Sequence, residues 1–274
     1  MFQNWIEQTR KKIPLVHTIT NYVTVNDCAN IVLAAGGSPI MADAIEEVED
    51  IVSISAALVL NIGTLNAQTA SAMLKAGKKA NELGRPVILD PVGAGASKLR
   101  NDTVLTLLKE VKFAVIRGNV SEIKFIANGA ASTKGVDADV DDTVSEENLD
   151  QMVSFVKQLS KKIGAVIAMT GAIDLVSDEK ETFVIRNGHP MMAKITGTGC
   201  MLSCVVGSFV GANPEDPATA TAYAIASYGI CGELAFARMK SGEDGTGSYR
   251  TYLIDAMSNF DDDTFRKYAK VKCK

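Results

Sequence analysis

The segment 195–204 carries the clearest chemical pattern of the chain, Ile-Thr-Gly-Thr-Gly-Cys-Met-Leu-Ser-Cys. Gly197 and Gly199 permit a tight turn, and a helix starting near Cys200 would present free backbone N–H groups. Such donors suit the negative charge that develops on a transferring phosphoryl group. The helix dipole should also lower the pKa of the Cys200 thiol. Taken alone, the segment is explained more simply as a Gly-rich helix entry with a buried cysteine.

Polar residues also follow two apolar runs that look like neighbouring strands. Asp90 ends the first run, and Arg117, Asn119 and Glu122 follow the second. Because ligands of doubly wound sheets sit at the carboxyl ends of strands, these side chains could converge on one crevice. Carboxylates there would hold Mg²⁺ directly or through water, and an arginine would meet phosphate oxygens. Alternatively, Asp90 and Asn119 are turn residues and Glu122 is an acid at a helix start.

Three further residues have weaker patterns. Thr170 ends a later apolar run, where its hydroxyl could reach a phosphate. Cys200 and Cys204 lie one helical turn apart, but the chain has two histidines and no further paired ligands, which argues against a zinc site. His17 has no obvious nucleophile partner and is interpreted as structural. The sequence has no P-loop and no protein-kinase motif, so it belongs to neither of these two kinase classes. It also has no GxGxxG, the dinucleotide-binding motif expected of a dehydrogenase.

Alternating strand and helix patterns must position these residues. Apolar runs predict strands over 57–61, 86–90, 113–117 and 165–169. Helical patterns cover 66–83 and 99–111, a short stretch after Ser121, and a stretch that begins near Ser145. Strands that are apolar throughout and separated by helices predict βαβ units with both sheet faces covered. We therefore expect a single-domain three-layer αβα sandwich over 1–274, with a mostly parallel central sheet.

The remainder of the chain is predicted more coarsely. The polar segment 128–147 has no clear period and is expected to be a surface loop. Two short runs, 173–177 and 182–186, flank a charged turn and predict an antiparallel hairpin. After Gly199 the pattern is mostly helical, with helices over 217–240, 249–257 and 264–269.

Composition limits the class of protein. Of 274 residues, 47% are hydrophobic and 22% are charged, so a sizeable core can form. The net charge of −4 argues against a dedicated nucleic-acid-binding role. Five scattered cysteines without a CxxC pair predict reduced thiols and a cytoplasmic protein. We expect no signal peptide and no membrane span, because the longest uncharged stretch, 195–214, is rich in Gly, Ser and Thr.

The order of the motifs resembles that of the hydroxyethylthiazole kinase family, thiamine-salvage enzymes of the ribokinase-like superfamily. The motifs are His-Thr-Ile-Thr-Asn at 17–21, Ser-Pro-Ile-Met-Ala at 38–42, Asp-Pro-Val-Gly at 90–93, Arg-Gly-Asn at 117–119, Met-Thr-Gly at 169–171 and Thr-Gly-Thr-Gly-Cys at 196–200. The resemblance runs from Pro14 to Arg238. Other members of the superfamily usually have aspartate where this chain has Cys200.

The resemblance implies a ribokinase-like fold and ATP-dependent phosphorylation of the hydroxyl of 4-methyl-5-(2-hydroxyethyl)thiazole with Mg²⁺. It also implies a homotrimer with active sites between subunits. Its site roles are thiazole binding by Met41, Gly197 and Asn21, nucleotide binding by Arg117, Thr170 and Asn119, metal binding by Asp90 and Glu122, and an anion hole at Gly197, Thr198, Gly199 and Cys200. Cys200 would act either as a base or only as part of the anion hole.

Three alternatives stay open at this point. A related kinase could act on a hydroxymethylpyrimidine or a pyridoxal-like alcohol. An ATP-dependent NAD(P)H-hydrate dehydratase is expected to carry aspartate at position 200. A nucleotide-binding regulator without turnover is disfavoured by the complete set of Asp90, Glu122 and Cys200. We see no obvious lid segment, so a neighbouring subunit could enclose the site instead. The resemblance assigns that role to the region from Asn21 to Met41, which precedes the regular βα rhythm. Alternatively, this region folds back over its own sheet.

Overall fold

In a computed structural model of the chain, residues 4–129 and 143–274 are described. They form one sheet of nine strands in the order β2-β1-β3-β4-β5-β6-β7-β8-β9. The strands are β1 (Leu15–Ile19), β2 (Ser38–Ile40), β3 (Ala57–Asn61), β4 (Val87–Asp90), β5 (Val115–Asn119), β6 (Val166–Thr170), β7 (Asp174–Ser177), β8 (Thr182–Ile185) and β9 (Val271–Cys273). The first six strands are parallel, and β7, β8 and β9 add to one edge in antiparallel pairs.

Helices cover both faces of this sheet. They are α1 (Trp5–Lys12), α2 (Val25–Ala35), α3 (Val48–Ile54), α4 (Ala67–Glu82), α5 (Lys98–Glu110), α6 (Val120–Gly129), α7 (Leu149–Ile163), α8 (Thr198–Ala212), α9 (Pro217–Arg238), α10 (Thr246–Ser258) and α11 (Asp262–Tyr268), with a short 3-10 helix at Pro190–Lys194. Among the described residues, no helix has the length and apolarity needed to cross a membrane.

Two apolar clusters show how the three layers form. In β3, Val59 belongs to the apolar cluster that includes residues of α2, α8 and α9, whereas Leu58 and Leu60 belong to the cluster that includes residues of α3, α4 and α7. This alternation is the period of two expected of a strand. Because both faces meet helices, every position of β3 is buried, which explains its continuous apolar run. The predicted three-layer αβα architecture with a mostly parallel sheet is confirmed.

Helix α8 is apolar for a different reason from the amphipathic helices. It lies against α2 and α9 as well as β3 and β4, so nearly all of its residues are buried. Helix α7, in contrast, buries one stripe, formed by Leu149, Met152, Phe155, Val156, Leu159 and Ser160, and its other positions are exposed or half-buried. The Gly- and Ser-rich stretch 195–214 is therefore a central helix whose small residues allow close packing against the sheet.

Several boundaries differ from those expected. The predicted hairpin is confirmed as β7 and β8. The region before Ala57 does not precede the βα rhythm, as expected, but forms part of it, because β1 and β2 pair in parallel and extend the same sheet. Of the predicted loop 128–147, residues 128 and 129 end α6, and residues 130–142 lie outside the described residues. Strand β9 was not anticipated.

Candidate active site

The ends of four neighbouring parallel strands present polar side chains to the same face of the sheet. Residues two positions earlier in each strand belong to the apolar cluster under α8 and α9. Since side chains on one face repeat every second residue, the next ones on that face lie at the carboxyl edge under the start of α8. They are Asn61, Asp90, Arg117 and Thr170. Three of these four were predicted from sequence, and the structure brings them together.

The start of α8 depends on two glycines. Gly197 has a φ of 85°, in the left-handed region, and a Cβ there would lie 2.4 Å from Cγ2 of Thr24. A Cβ on Gly199 would lie 2.8 Å from Nη1 of Arg117. The first N–H groups of α8, beginning at Thr198, have no acceptor within the helix. Together with the Arg117 guanidinium they make a positively polarised site for an anion.

Arg117 is held rigidly in this position. Its Nη2 donates to Oγ1 of Thr170 at 2.8 Å, and its Nη1 lies 3.6 Å from Oδ1 of Asp90. Its Nε is buried without a hydrogen-bond acceptor among the described residues. Nη1 makes an ion pair but no hydrogen bond within the described residues, so the guanidinium keeps donor capacity for a ligand while Thr170 and Asp90 restrain it.

Asp90 lies fully buried under the anion site. Its Oδ2 accepts from Nδ2 of Asn61 and from Oγ of Ser203, each at 2.8 Å. Its Oδ1 accepts no hydrogen bond from the described part of the chain. Burial raises the pKa of the Asp90 carboxyl, and the nearby Arg117 opposes that rise. The unfilled Oδ1 is thus available for a cation or for a donor on a ligand.

Cys200 is positioned by Asn21. Nδ2 of Asn21 donates to the Cys200 sulfur at 3.2 Å and to Oδ1 of Asn61 at 3.0 Å. Oδ1 of Asn21 accepts from the backbone N and the hydroxyl of Thr24. The amide has two hydrogens and both are used. The structure therefore places Asn21 on the thiol, and its predicted contact with the thiazole stays a prediction.

The expected low pKa of the Cys200 thiol is wrong. Burial, followed by the negative charge of Asp90, raises this pKa, and hydrogen bonds from Thr24 and Asn21 only partly compensate. Since an ordinary thiol already titrates above neutrality, the Cys200 side chain is protonated at pH 7. The partial charge of a helix N-terminus is outweighed here by desolvation.

Asn119 and Glu122 form a reciprocal cap at the start of α6. Oδ1 of Asn119 accepts from N of Glu122 at 2.9 Å, and Oε2 of Glu122 accepts from N of Asn119 at 2.8 Å. Oε1 of Glu122 also accepts from N of Gly93 at 2.8 Å, which ties the loop after β4 to α6. The alternative interpretation as a helix-start acid is therefore correct for Glu122, and the same carboxylate also lines the cleft beside Asp90.

Two clefts meet at the anion site, and both are lined by Arg117 and Gly199. The first, of about 380 Å³, also contains Cys200, Gly197, Asn21, Asp90, Asn119 and Glu122. The second, of about 550 Å³, also contains Thr170, Thr198, Asp174 and the 3-10 helix segment. Two co-substrates in these clefts would therefore meet at one anion site.

Met41 is not brought to either of these clefts. It lines a smaller hollow of about 250 Å³ with Tyr22 and Thr64, and Thr64 also borders the first cleft. His17 lines neither cleft nor this hollow; it is fully buried, its Nε2 lies 2.7 Å from the Ala42 carbonyl oxygen, and burial lowers its pKa. The neutral ring therefore donates from Nε2, in keeping with a structural role.

Sequence reasoning missed several residues of the site. Asn61 could have been found as a further strand-end residue, because it ends a predicted strand; its alignment with Asp90 is known only from the structure. Ser203 lies one helical turn after Cys200, which is a weak signal. Arg100 had no recognisable signal in the sequence. It donates to the carbonyl oxygens of Ile62, Gly63 and Val92 and so joins the loops after β3 and β4. Asp174 was treated only as part of a hairpin.

Comparisons with known proteins identify the family of the chain. The model of the hydroxyethylthiazole kinase family matches residues 6–263. The hydroxyethylthiazole kinase of Clostridium acetobutylicum is 59% identical, with 96% of each chain covered. That of Desulfovibrio desulfuricans is 51% identical, with 95% of this chain and 94% of the relative covered.

Solved structures of similar proteins identify the fold. The hydroxyethylthiazole kinase of Pyrococcus horikoshii superposes with a TM-score of 0.87 at 35% identity, over 98% of this chain and 97% of that one. A pyridoxal kinase from Staphylococcus aureus shares the fold with a TM-score of 0.61 at 13% identity, over 96% of this chain and 98% of that one. The sheet is ribokinase-like, and the chain belongs to the hydroxyethylthiazole kinase family.

Proposed function

We propose that the protein transfers the γ-phosphoryl group of ATP to the hydroxyl of 4-methyl-5-(2-hydroxyethyl)thiazole, a reaction of thiamine salvage. The observation that carries this proposal is the pair of clefts that meet at Arg117 and Gly199. The alcohol would occupy the first cleft, beside Cys200. ATP would occupy the second cleft, beside Thr170, with its terminal phosphate at the start of α8.

Electrostatic stabilisation would be the main contribution of the protein. The N–H groups that follow Gly197 point at the place where charge develops on the phosphoryl group. Arg117 adds a full positive charge whose orientation is set by Thr170 and Asp90. Because these donors are already in place, little reorganisation is needed when the reaction occurs.

The role of Cys200 follows from its protonation state. A thiol that is protonated at neutral pH is a poor general base before the reaction begins. In a loose transition state the alcohol keeps much of its proton until late, so positioning matters more than early proton removal. We therefore favour a role in which the sulfur shapes the anion hole and orients the substrate hydroxyl.

Asp90 and Glu122 fit a divalent cation, proposed to be Mg²⁺. Oδ1 of Asp90 is a buried oxygen without a donor, and the Glu122 carboxylate lines the same cleft. Mg²⁺ commonly binds one or two protein carboxylates together with substrate phosphates and water. These two residues would hold it, and when bound it would supply charge neutralisation at the phosphates. Asn119, on the same edge, is proposed to contact the nucleotide.

We also propose a homotrimer in which each site lies between two subunits. Val23 lines the first cleft and is 58% exposed, and Tyr22, next to it in the chain, is 79% exposed. Exposed apolar side chains beside a cleft are expected to be covered by a partner. Met41 lies outside the cleft of its own chain, so a neighbouring subunit's copy could close it. A ring of head-to-tail contacts satisfies this arrangement.

The proposed location is the cytoplasm. All five cysteines are free, as is usual in a reducing compartment. Cell fractionation with an antibody to the chain checks this assignment, which fails if the protein is recovered outside the cytoplasmic fraction.

A substrate panel tests the proposed reaction. Release of ADP from ATP and Mg²⁺ is measured after addition of thiazole, hydroxymethylpyrimidine and pyridoxal-type alcohols, and of hydrated NADH. The thiazole alcohol should be preferred by at least about tenfold, the scale of one or two pocket contacts. Faster turnover of another alcohol or of hydrated NADH contradicts the proposal, as does the absence of any stimulation.

Mixed oligomers test the shared site. Cys200→Ala and Met41→Arg should each be nearly inactive alone, the second because it would place a charge against the thiazole ring. When the two are refolded together, some sites combine an intact Met41 with an intact Cys200 and recover activity. Each variant refolded alone is the control. Verified mixed oligomers without activity would place the whole site within one chain.

A further inference from the structure

We propose that Asp174 binds the nucleoside part of the nucleotide, by accepting through Oδ2 a hydrogen bond from a base amino group or a ribose hydroxyl. This inference rests on the proposed function, in which the second cleft holds ATP. Nothing in the sequence motifs assigns Asp174 a role of this kind. The argument comes from its position in the sheet, its contacts and the charges around it.

Asp174 continues the row of polar side chains at the sheet edge. It begins β7, which pairs antiparallel with β6, and so it lies beside the end of β6 at Thr170. Val176, two residues later, belongs to the apolar cluster under α8 and α9. The Asp174 side chain therefore faces the same side as Val176 and as the polar row, and it lines the second cleft.

One oxygen of Asp174 is used and the other is not. Oδ1 accepts from N of Gly171 at 2.9 Å and so holds the turn between β6 and β7. No donor within residues 4–129 and 143–274 contacts Oδ2. The residue is only 9% exposed, and burial raises the pKa of Asp174 to about 7, although the Gly171 N–H and the charge of Arg117 oppose the rise. A ligand that supplies an N–H or O–H group would satisfy Oδ2.

The charges of the cleft identify which part of the nucleotide this is. A carboxylate repels phosphate oxygens, so we expect the phosphates at the start of α8 and on the Arg117 guanidinium, and the nucleoside on the carboxylate. The remaining described lining is mostly apolar and includes Ala172, Met192 and Leu202, as suits a nucleoside.

The other titratable side chains that line this cleft do not compete for the same role. Nδ1 of His189 accepts from N of Met191 at 3.1 Å, and its ring stacks on Phe236 at 3.7 Å. The Tyr228 hydroxyl is buried, and burial raises its pKa well above the ordinary value. Asp174 is then the one carboxylate among the described residues of this cleft, and the natural acceptor for nucleoside donors.

The variant Asp174→Asn distinguishes the roles of the two carboxylate oxygens. Asparagine keeps Oδ1 for the Gly171 N–H and replaces Oδ2 with a donor of the same size. Binding of ADP is measured by calorimetry at pH 8, where the native carboxyl is ionised. We expect the variant to bind ADP at least about tenfold more weakly, because a hydrogen bond to a charged group is lost. Its affinity for the thiazole alcohol should be unchanged.

Asp178→Asn is the matched control. Oδ1 of Asp178 accepts from N of Lys180 at 2.7 Å and from N of Glu181 at 2.8 Å, so it also holds a turn of this hairpin. It lines neither of the two clefts. ADP binding should be the same as in the unmodified protein. Equal ADP affinity in the unmodified protein and Asp174→Asn would overturn the inference.

Nucleotide analogues identify the donor and keep the test valid if the variant does not fold. Binding of 2′-deoxy-ADP, 3′-deoxy-ADP and the diphosphate of purine riboside, which lacks the amino group, is compared with that of ADP. One of them should bind the unmodified protein about tenfold more weakly and lose nothing further in Asp174→Asn. Equal binding of all four nucleotides by the unmodified protein overturns the inference.

The two proposals fail separately. ADP binding that depends on Asp174 in a protein that phosphorylates no thiazole alcohol contradicts the proposed reaction and supports this inference. Phosphorylation of the thiazole alcohol by a protein whose ADP affinity does not depend on Asp174 supports the proposed reaction and contradicts this inference.

Discussion

The substitution Asn61→Asp tests the hydrogen-bond network that links the anion site to Cys200. Oδ1 of Asn61 accepts from Nδ2 of Asn21 at 3.0 Å and from N of Gly63 at 2.9 Å. Its Nδ2 donates to Oδ2 of Asp90 at 2.8 Å. Aspartate has the same shape and keeps both accepted bonds. It replaces the single donor with an oxygen that faces a buried carboxylate.

The loss of unfolding free energy in this variant depends on a proton that the folded state must bind. Two carboxylate oxygens at the 2.8 Å separation now held by Asn61 and Asp90 cannot both be ionised in a buried site. The folded variant must therefore bind a proton that its unfolded chain releases above about pH 4. Since the folded state binds more protons, stability falls as pH rises, by about 1.4 kcal/mol per pH unit for one proton. Relative to the unmodified protein, the loss between pH 6 and pH 8 should approach about 3 kcal/mol.

Urea unfolding at several pH values between 5 and 9 measures the effect. Ser203→Ala is the first control, because it removes the other donor to Oδ2 of Asp90 without adding a charge; it should cost about 2 kcal/mol. Asn30→Asp is the second, because its exposed amide faces Asn26 and no carboxylate. A stability difference for Asn61→Asp that does not change with pH would refute the proposed contact with an ionised Asp90.

Further predictions concern the chemistry and the pH dependence of the unmodified protein. Cys200→Ala should lower kcat on the order of 10²-fold while ATP still binds, because the sulfur no longer orients the substrate hydroxyl, and Cys200→Asp should keep substantial activity; near-normal kcat in Cys200→Ala would show that the sulfur is not needed for this orientation. Asp90→Asn or Glu122→Gln should raise the Mg²⁺ concentration for half-maximal ADP release, because a hard cation loses an anionic oxygen; an unchanged requirement in both variants removes these residues from the metal site. Because the folded pKa of Asp174 is about 7, well above that of an exposed aspartate, the folded state holds a proton that the unfolded chain has lost, and stability falls as pH rises from about 4 to about 7. Thermal unfolding of Asp174→Asn across that range should show a smaller decline than the unmodified protein, and an equal decline assigns the effect to other groups.

The central strands and the hairpin of β7 and β8 were predictable, whereas β1, β2 and β9 were not. Strands β3 to β6 are covered on both faces, so each gives an apolar run that sequence alone can locate. Strand β1 carries His17 and Thr18 inside the core, which breaks such a run. Strands β2 and β9 have three residues each, too few for any period. Their strand conformation comes from pairing with β1 and β8, which is tertiary information.

The candidate site was predictable to the same extent. Residues at strand ends and at a glycine-rich helix start could be placed on one edge, because the topology of parallel sheets brings those positions together. The partners of these residues could not be placed, because they depend on register. Asn61 reaches Asp90 only because β3 and β4 align these two residues. The capping pair Asn119 and Glu122 shows a further limit, since one carboxylate serves both a helix start and the cleft.

The raised pKa of the Cys200 thiol indicates how an aspartate would behave at this position. The family resemblance implies that other superfamily members usually have aspartate there. Sequence reasoning considered only the helix N-terminus, which favours an anion by a modest amount. The site adds burial and the charge of Asp90, and both act in the opposite direction on the thiol. An aspartate at position 200 would meet the same burial and the same neighbouring charge. Its pKa would rise from about 4 toward neutrality, which is the value that suits a general base. The surroundings that keep a thiol protonated would thus make a carboxylate an effective base, which is why Cys200→Asp is expected to remain active.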